Sequence, residues 1–199
     1  MAKAKKITPL EALVVLDGSI AEALQPHRET RLVRAVGLVG KQGDQPQMIA
    51  LSGLVLAGGL LRGDRRVIEA GGRMLASHLL ATAAKHHIKR RIDRRRPPRD
   101  GGDPKRDAEP RLGRSDEKAW TSFPSGHTAG AVAVAQGFAR VFPEHRAKAV
   151  AGAATVSLAQ VCKQAHYLSD VTAGVAIGVV AEAVVDRLWP QAFTGVRVG

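Results

Sequence analysis

Residues 126–142 read Gly-His-Thr-Ala-Gly-Ala-Val-Ala-Val-Ala-Gln-Gly-Phe-Ala-Arg-Val-Phe, and a proline follows at 143. The run is apolar, built from Ala, Val and Gly, and its length suits a helix rather than a strand. Pro143 closes it. Comparable runs flank it: Met48 to Leu61, about Val67 to Ile92 with its apolar part at Met74 to Ala84, Ala147 to about Ala165, and Ser169 to Trp189 before Pro190. No stretch sustains a period of two, and aromatics make up only 4 % of the chain. That palette forms helices and is poor in strand formers. The 199 residues therefore predict one all-α domain, a bundle of about five to six helices.

Outward from the bundle, residues 1–47 read as an N-terminal amphipathic helical segment, broken near Gln25-Pro26, with a linker at 41–47. The core is expected at 48–189, with a hydrophilic loop at 99–118 after the Pro97-Pro98 stop, and a tail at 190–199. The basic start and the apolar run from Leu10 to Leu16 resemble a signal peptide, but Glu11 interrupts the run and Asp17 ends it, so no cleaved signal is expected. Cys162 is the single cysteine, which excludes an intrachain disulfide and reads as a small buried hydrophobe. The formal net charge of +12 points to polyanionic partners: nucleic acid, anionic lipid head groups or phosphorylated substrates. Hydropathy alone is evenly balanced between membrane and water. Met48 to Leu61 would reach only about 21 Å at helical rise, against a hydrocarbon core of about 30 Å.

Three short segments carry chemistry. In the basic run Lys89 to Pro97, Lys89 and Arg96 are seven apart, about two turns, and share a face if the segment is helical. Both could then reach one phosphate; a solvated basic face is the plainer reading. In Phe123-Pro124-Ser125-Gly126-His127, Ser125 suits an N-cap and Gly126 lets a ligand approach the backbone. The free N–H groups there suit an anion, with His127 beside it as a proton donor. A Ser-capped helix with a bystander histidine is the alternative. In Ala165 to Asp170, His166 and Asp170 are four apart, so the carboxylate can fix the imidazole tautomer and leave the other nitrogen free to attack. A polar contact at a helix junction would look the same.

Together the segments resemble the type 2 phosphatidic acid phosphatase superfamily, which includes vanadium haloperoxidases and bacterial acid phosphatases. Its pattern is Lys-x6-Arg-Pro, then Pro-Ser-Gly-His, then Ser-Arg-x5-His-x3-Asp. Lys89 to Pro97, Pro124 to His127, and His166 with Asp170 follow it in order and spacing. The resemblance implies that His166 is the nucleophile and forms a phosphohistidine. Asp170 orients it, and His127 protonates the leaving oxygen and then activates water. It implies that Lys89, Arg96, Ser125 and Gly126 hold the phosphoryl oxygens, with no metal and no cofactor. One departure stands out: the pattern's Ser-Arg falls on Ala159 and Gln160. Gln160 cannot replace the guanidinium charge. Lys163, three residues before His166, is expected to supply it from a neighbouring helical face.

The resemblance also implies a membrane-embedded bundle with the active site at one end, in the inner or plasma membrane. The substrate would be a lipid phosphate or a polyprenyl (di)phosphate, with no nucleic-acid partner. Of the 30 Lys and Arg, 7 lie in residues 1–47 and 13 in residues 85–118, so the positive-inside rule would put the site on the cytoplasmic side. A soluble phosphatase or haloperoxidase-like enzyme on small esters, and a basic helical module for nucleic acid, are the competing expectations.

Overall fold

The computed structural model describes residues 8–98 and 102–189. The basic start, the tail at 190–199 and three residues of the hydrophilic loop lie outside the described residues. Helix α1 (Pro9–Leu24) starts on a Thr8 cap, whose hydroxyl accepts from the Glu11 N–H while the Glu11 carboxylate accepts from the Thr8 N–H. This reciprocal pair satisfies two of the orphan donors of the first turn. A 3₁₀ turn at Gln25–His27 breaks the segment where proline was read, and α2 (Arg31–Gly40) follows. Then come α3 (Gln45–Arg62) and α4 (Arg65–Lys89), the two-residue strand β1 (Ile92–Asp93), a single turn α5 (Pro104–Asp107) and strand β2 (Arg111–Leu112). Helices α6 (Gly126–Val141), α7 (Arg146–Cys162) and α8 (Leu168–Leu188) complete the chain.

The five long helices α3, α4, α6, α7 and α8 form the bundle, which bears out the all-α reading. The α3–α4 hairpin turns on Gly63, whose φ of +65° is open to glycine at little cost, and on the Asp64 cap. The helices alternate in direction. Gln45, Lys89, Gly126 and His166 meet at one end, while the ion pairs Arg66–Glu144, Arg73–Asp186 and Arg140–Glu182 tie the other. Helix α6 is the centre: ten of its sixteen residues are buried. Helices α1 and α2 lie outside the bundle at the site end, α1 against α5 and the start of α8, α2 against α7.

Small residues set the helix spacing. A Cβ on Gly71 would stand 2.4 Å from the Leu56 nitrogen, and one on Gly174 would stand 2.7 Å from the Ser125 carbonyl oxygen. One core cluster is wholly alanine: Ala81, Ala129, Ala133 and Ala181. Large aliphatic side chains point outward instead. Leu54 is 72 % exposed and Val180 61 %, while Ser52, Ser77 and Glu182 are buried. Helix α8 is the one helix, among the described residues, long and apolar enough by length and composition to cross a membrane.

Three boundaries differ from the sequence reading. The linker at 41–47 is shorter, because Asp44-Gln45-Pro46 starts α3 with an Asp cap position and an early proline. The helix read through Ile92 stops at Lys89, and a small antiparallel β1–β2 pair (Ile92 with Leu112, Asp93 with Arg111) takes over. The helix read to Ala165 stops at Cys162, because Gln164 turns left-handed at φ +53°.

Gly174 fixes how closely α8 approaches the start of α6. Gly174→Val should lower stability by about 1–3 kcal/mol, the usual cost of overpacking a tight contact, read as a lower melting temperature of the purified protein. A wild-type melting temperature would show that this crossing is looser than the geometry states.

Candidate active site

Beyond α4 the basic run is extended, and it pairs with the segment leading into Pro124-Ser125-Gly126-His127. The Arg94 N–H donates to the Trp120 carbonyl (2.8 Å), the Arg96 N–H to the Ala119 carbonyl (2.9 Å), and the Ser122 N–H to the Arg94 carbonyl (3.0 Å). Extended backbone alternates its side chains. Arg94 turns inward and is buried, Arg95 turns outward to Asp107, and Arg96 turns inward again. The helical argument for Lys89 and Arg96 therefore fails, because α4 ends between them, yet both line one cavity. Lys89 donates to the Thr121 carbonyl. Arg96 donates from Nε to the Lys118 carbonyl (3.0 Å) and from Nη1 to the Ala165 carbonyl (2.9 Å).

The turn after α7 presents His166. With Gln164 left-handed, the Ala165 N–H donates to the Gln160 carbonyl (3.0 Å) and the Gln164 N–H to the Val161 carbonyl (2.9 Å). This is a Schellman closure made without glycine. The Gln164 amide donates to the Ala21 carbonyl of α1 (2.6 Å). His166 is 3 % exposed, and its Nδ1 lies 3.6 Å from Asp170 Oδ2.

Asp170 gathers the three segments. Its Oδ2 accepts from the Ser122 hydroxyl (2.6 Å) and the Tyr167 N–H (2.9 Å), and its Oδ1 accepts from Arg94 Nη1 (2.6 Å). Its carbonyl accepts from the Ser125 N–H (3.0 Å). Arg94 is shared: Nη2 donates to Asp17 of α1 at 2.6 Å, and Asp17 accepts in turn from the Ser169 N–H (3.0 Å) and hydroxyl. The guanidinium carbon also sits 4.5 Å from the centre of the Tyr167 ring.

Between His127 and His166 opens a cavity of about 400 Å³, also lined by Asp44, His78, Lys85, Lys89, Arg96 and Gly126. The two imidazole rings stand 6.4 Å apart at 62°. His127 Nε2 lies 2.6 Å from Asp44 Oδ1. Burial pushes the His166 imidazole down to about 4, against the pull of the Asp170 carboxylate. At neutral pH His166 is thus uncharged, with a lone pair available for attack. The arrangement suits attack by one imidazole on a centre held between the two, with proton transfer by the other.

The remaining sequence candidates fall at different distances from this space. Lys163 and Gln160 line an adjoining cavity of about 710 Å³ that shares Asp44, Arg96 and His127 with the first. Lys163 caps the end of α7, so the argument from a common helical face does not hold for it. Gln160 is fully buried, and its amide nitrogen donates to the Gly40 and Val156 carbonyls (3.2 Å each). It locks α2 onto α7. Ser125 occupies the N-cap position of α6 without a side-chain cap bond; its oxygen accepts from the Thr128 hydroxyl (3.1 Å). It lines neither cavity.

Asp17, Asp44, Lys85, Arg94 and Ser122 were not singled out in the sequence. Asp44 carried a signal, an Asp with proline two residues on, which marks a helix start. Its carboxylate makes no cap bond and turns to His127 instead. Nothing local distinguishes Arg94 from the arginines beside it.

A family model described as the PAP2 superfamily matches residues 70–193. Lipid A 1-phosphatase of Rhizobium johnstonii is 42 % identical over 64 residues, 32 % of this chain and 26 % of that protein. Lipid A 1-phosphatase of Rhizobium etli is 42 % identical over 64 residues, 32 % of this chain and 28 % of that protein. The matched segment thus spans about a quarter of the length of those relatives. A crystal structure of a transmembrane PAP2 type phosphatidylglycerolphosphate phosphatase from Bacillus subtilis superposes with a TM-score of 0.64. It is 20 % identical, and the match covers 94 % of this chain and 90 % of that one.

The burial of His166 sets a pH dependence. An unfolded histidine titrates near about 6.5. As the pH falls from there to about 4, the unfolded chain takes up a proton that the folded site refuses. Stability is therefore lost across that window and unaffected by this group above it. The NMR signal of the His166 ring should stay that of neutral imidazole down to about pH 5 and move only as pH approaches 4. A midpoint near 6.5 would contradict the burial.

Proposed function

The chain belongs to the PAP2 superfamily, and from that premise we propose that it is a lipid phosphate phosphatase acting through a phosphohistidine. The observation that carries this reading is the pair His127 and His166, facing across a cavity ringed by Lys and Arg. His166 Nε2 attacks phosphorus as the bond to the leaving oxygen breaks. Its Nδ1 faces Asp170, which holds the tautomer and steadies the positive charge on the phosphorylated ring. His127 gives its proton to the leaving oxygen. It then takes a proton from the water that attacks the phosphohistidine, and His166 departs as neutral imidazole. Lys89, Arg96 and the Gly126 N–H at the start of α6 hold the phosphoryl oxygens, whose charge is spread in the transition state. Asp44, 2.6 Å from Nε2, favours the protonated form of His127 against the burial and the Lys163 charge that push its pKa down. Cations meet the phosphoryl charge here, so the reading assigns no task to a divalent ion.

The outward aliphatic side chains support a membrane setting. A water-soluble bundle buries such groups, whereas this one buries mainly Ser, Gly and Ala with a few Val, and turns many Leu and α8 valines such as Val175, Val179 and Val180 outward. Helices α3 and α8 would span about 27 Å and 31 Å at helical rise, against a hydrocarbon core of about 30 Å. The substrate is then a phosphate monoester or diphosphate on a lipid or polyprenyl carrier, in line with the lipid phosphates in the relatives' names. The concentration of Lys and Arg in residues 1–47 and 85–118 favours a cytoplasmic site. A cysteine at Leu112, which is 93 % exposed, should be shielded from an impermeant maleimide in intact cells and labelled in inverted membranes. The opposite pattern would reverse the orientation.

The chemistry is tested by phosphate release from lipid phosphates in detergent. Release should persist in a chelator and be inhibited by orthovanadate, which mimics five-coordinate phosphorus. His166→Ala should abolish turnover and any acid-labile phosphoenzyme. His127→Ala should stop lipid turnover yet still accumulate phosphoenzyme from an activated aryl phosphate, whose leaving group needs less protonation. Near-normal turnover by His166→Ala would remove the assigned nucleophile.

A further inference from the structure

Lys85 is absent from the family's sequence pattern, and the mechanism above does not use it. It lies one helical turn before Lys89 on the same face of α4 and lines the cavity between the two histidines. Its side chain runs against the start of α6. A Cβ on Gly126 would stand 2.9 Å from Lys85 Cδ and 3.1 Å from Nζ. The ammonium thus approaches the positive end of a sixteen-residue helix and shares its cavity with Lys89 and Arg96.

Such an arrangement is costly without an anion, because like charges and a helix N-terminus repel a cation. Lys85 has no carboxylate partner among the described residues. The cavity's one acidic lining residue, Asp44, is held by His127 at 2.6 Å. Below Lys85 a second group points to a ligand. His78 is 2 % exposed and lines the same cavity, and no side chain bonds either ring nitrogen. Its ring lies against Gly130, on the α6 face that also bears Gly126. A buried imidazole that meets only the Gly130 backbone keeps a ring nitrogen unmet, which is expensive unless something polar enters the space beside it.

We propose that Lys85 is a phosphoryl-binding residue, the third cation of the site, reaching the substrate across Gly126 from the α4 side. The inference rests on the phosphatase reading and refines it. Gln160 gives its amide to backbone carbonyls, and Lys163 lines the adjoining cavity rather than the one between the two histidines. Lys85 stands on the inner side, among the groups that surround the reacting centre. The third charge therefore comes from the helix that already carries Lys89.

The test uses the full-length protein in detergent, with orthovanadate as the binding probe and para-nitrophenyl phosphate for turnover. Lys85→Met, which keeps the length of the side chain, should weaken vanadate binding at least tenfold. It should lower kcat by about two orders of magnitude, the scale for loss of one transition-state donor. Lys85→Arg, which restores the charge, should recover most of both. Equal melting temperatures for the three proteins would show that folding is not the cause. Vanadate binding and turnover by Lys85→Met within twofold of wild type would overturn the proposal. So would a loss that appears in Lys163→Met and not in Lys85→Met. A wild-type protein that neither binds vanadate nor releases phosphate would instead overturn the phosphatase reading beneath it.

Discussion

The buried ion pair between Arg94 and Asp170, 2.6 Å long, is the contact on which the site depends. Arg94 belongs to the segment after α4, and Asp170 to the first turn of α8. Around that pair the Ser122 hydroxyl and the Ser125 N–H fix the third segment. Neither charge is tolerable alone, since stranding one partner of a buried pair costs about 3–5 kcal/mol. Asp17 adds a second carboxylate to the same guanidinium, so the group around Arg94 carries net negative charge beside His166. In the mechanism proposed above, that charge would steady the His166 ring as it becomes phosphorylated.

The packing logic of the bundle follows from what its interior lacks. Alanine and glycine bury little apolar area, so the hydrophobic term per residue is small. Close approach replaces it: backbones come near enough for dispersion and tight geometry to hold the helices. In the proposed membrane setting, the outward Leu and Val meet the apolar surrounding that a bilayer supplies. The two ends carry the charge. One holds structural ion pairs among Arg73, Asp186, Arg140 and Glu182, and the other holds the candidate active site.

The bundle helices were legible because they rest on periodicity, and short spacings singled out the segments of His127, His166, Asp170, Lys89 and Arg96, which the fold brings to one end of the bundle. Their geometry was less so. Lys89 and Arg96 do converge on one cavity, but through an extended segment bonded to residues 119–122 rather than a shared helical face, and β pairing over such a distance leaves no local signature. The end of α7 was misread because the usual glycine marker is absent; Gln164 takes the left-handed position, where its amide reaches α1. Gln160 was read as the residue standing in the pattern's arginine position without its charge, whereas its buried amide joins two helices. Lys85 went unnoticed because a lysine one turn before another resembles any basic helix end. Only the tight contact with Gly126 sets it apart.

The tie between Asp17 and Ser169 spans 152 positions of the chain. Asp17 comes early in synthesis and Asp170 late, and the two share one arginine from the middle. A growing chain that has made α1 through α7 therefore holds Asp17 and Arg94 without their last partners. His166 and Asp170 join them only as α8 begins. In the proposed reading, the site is therefore complete only once the start of α8 has joined the other segments.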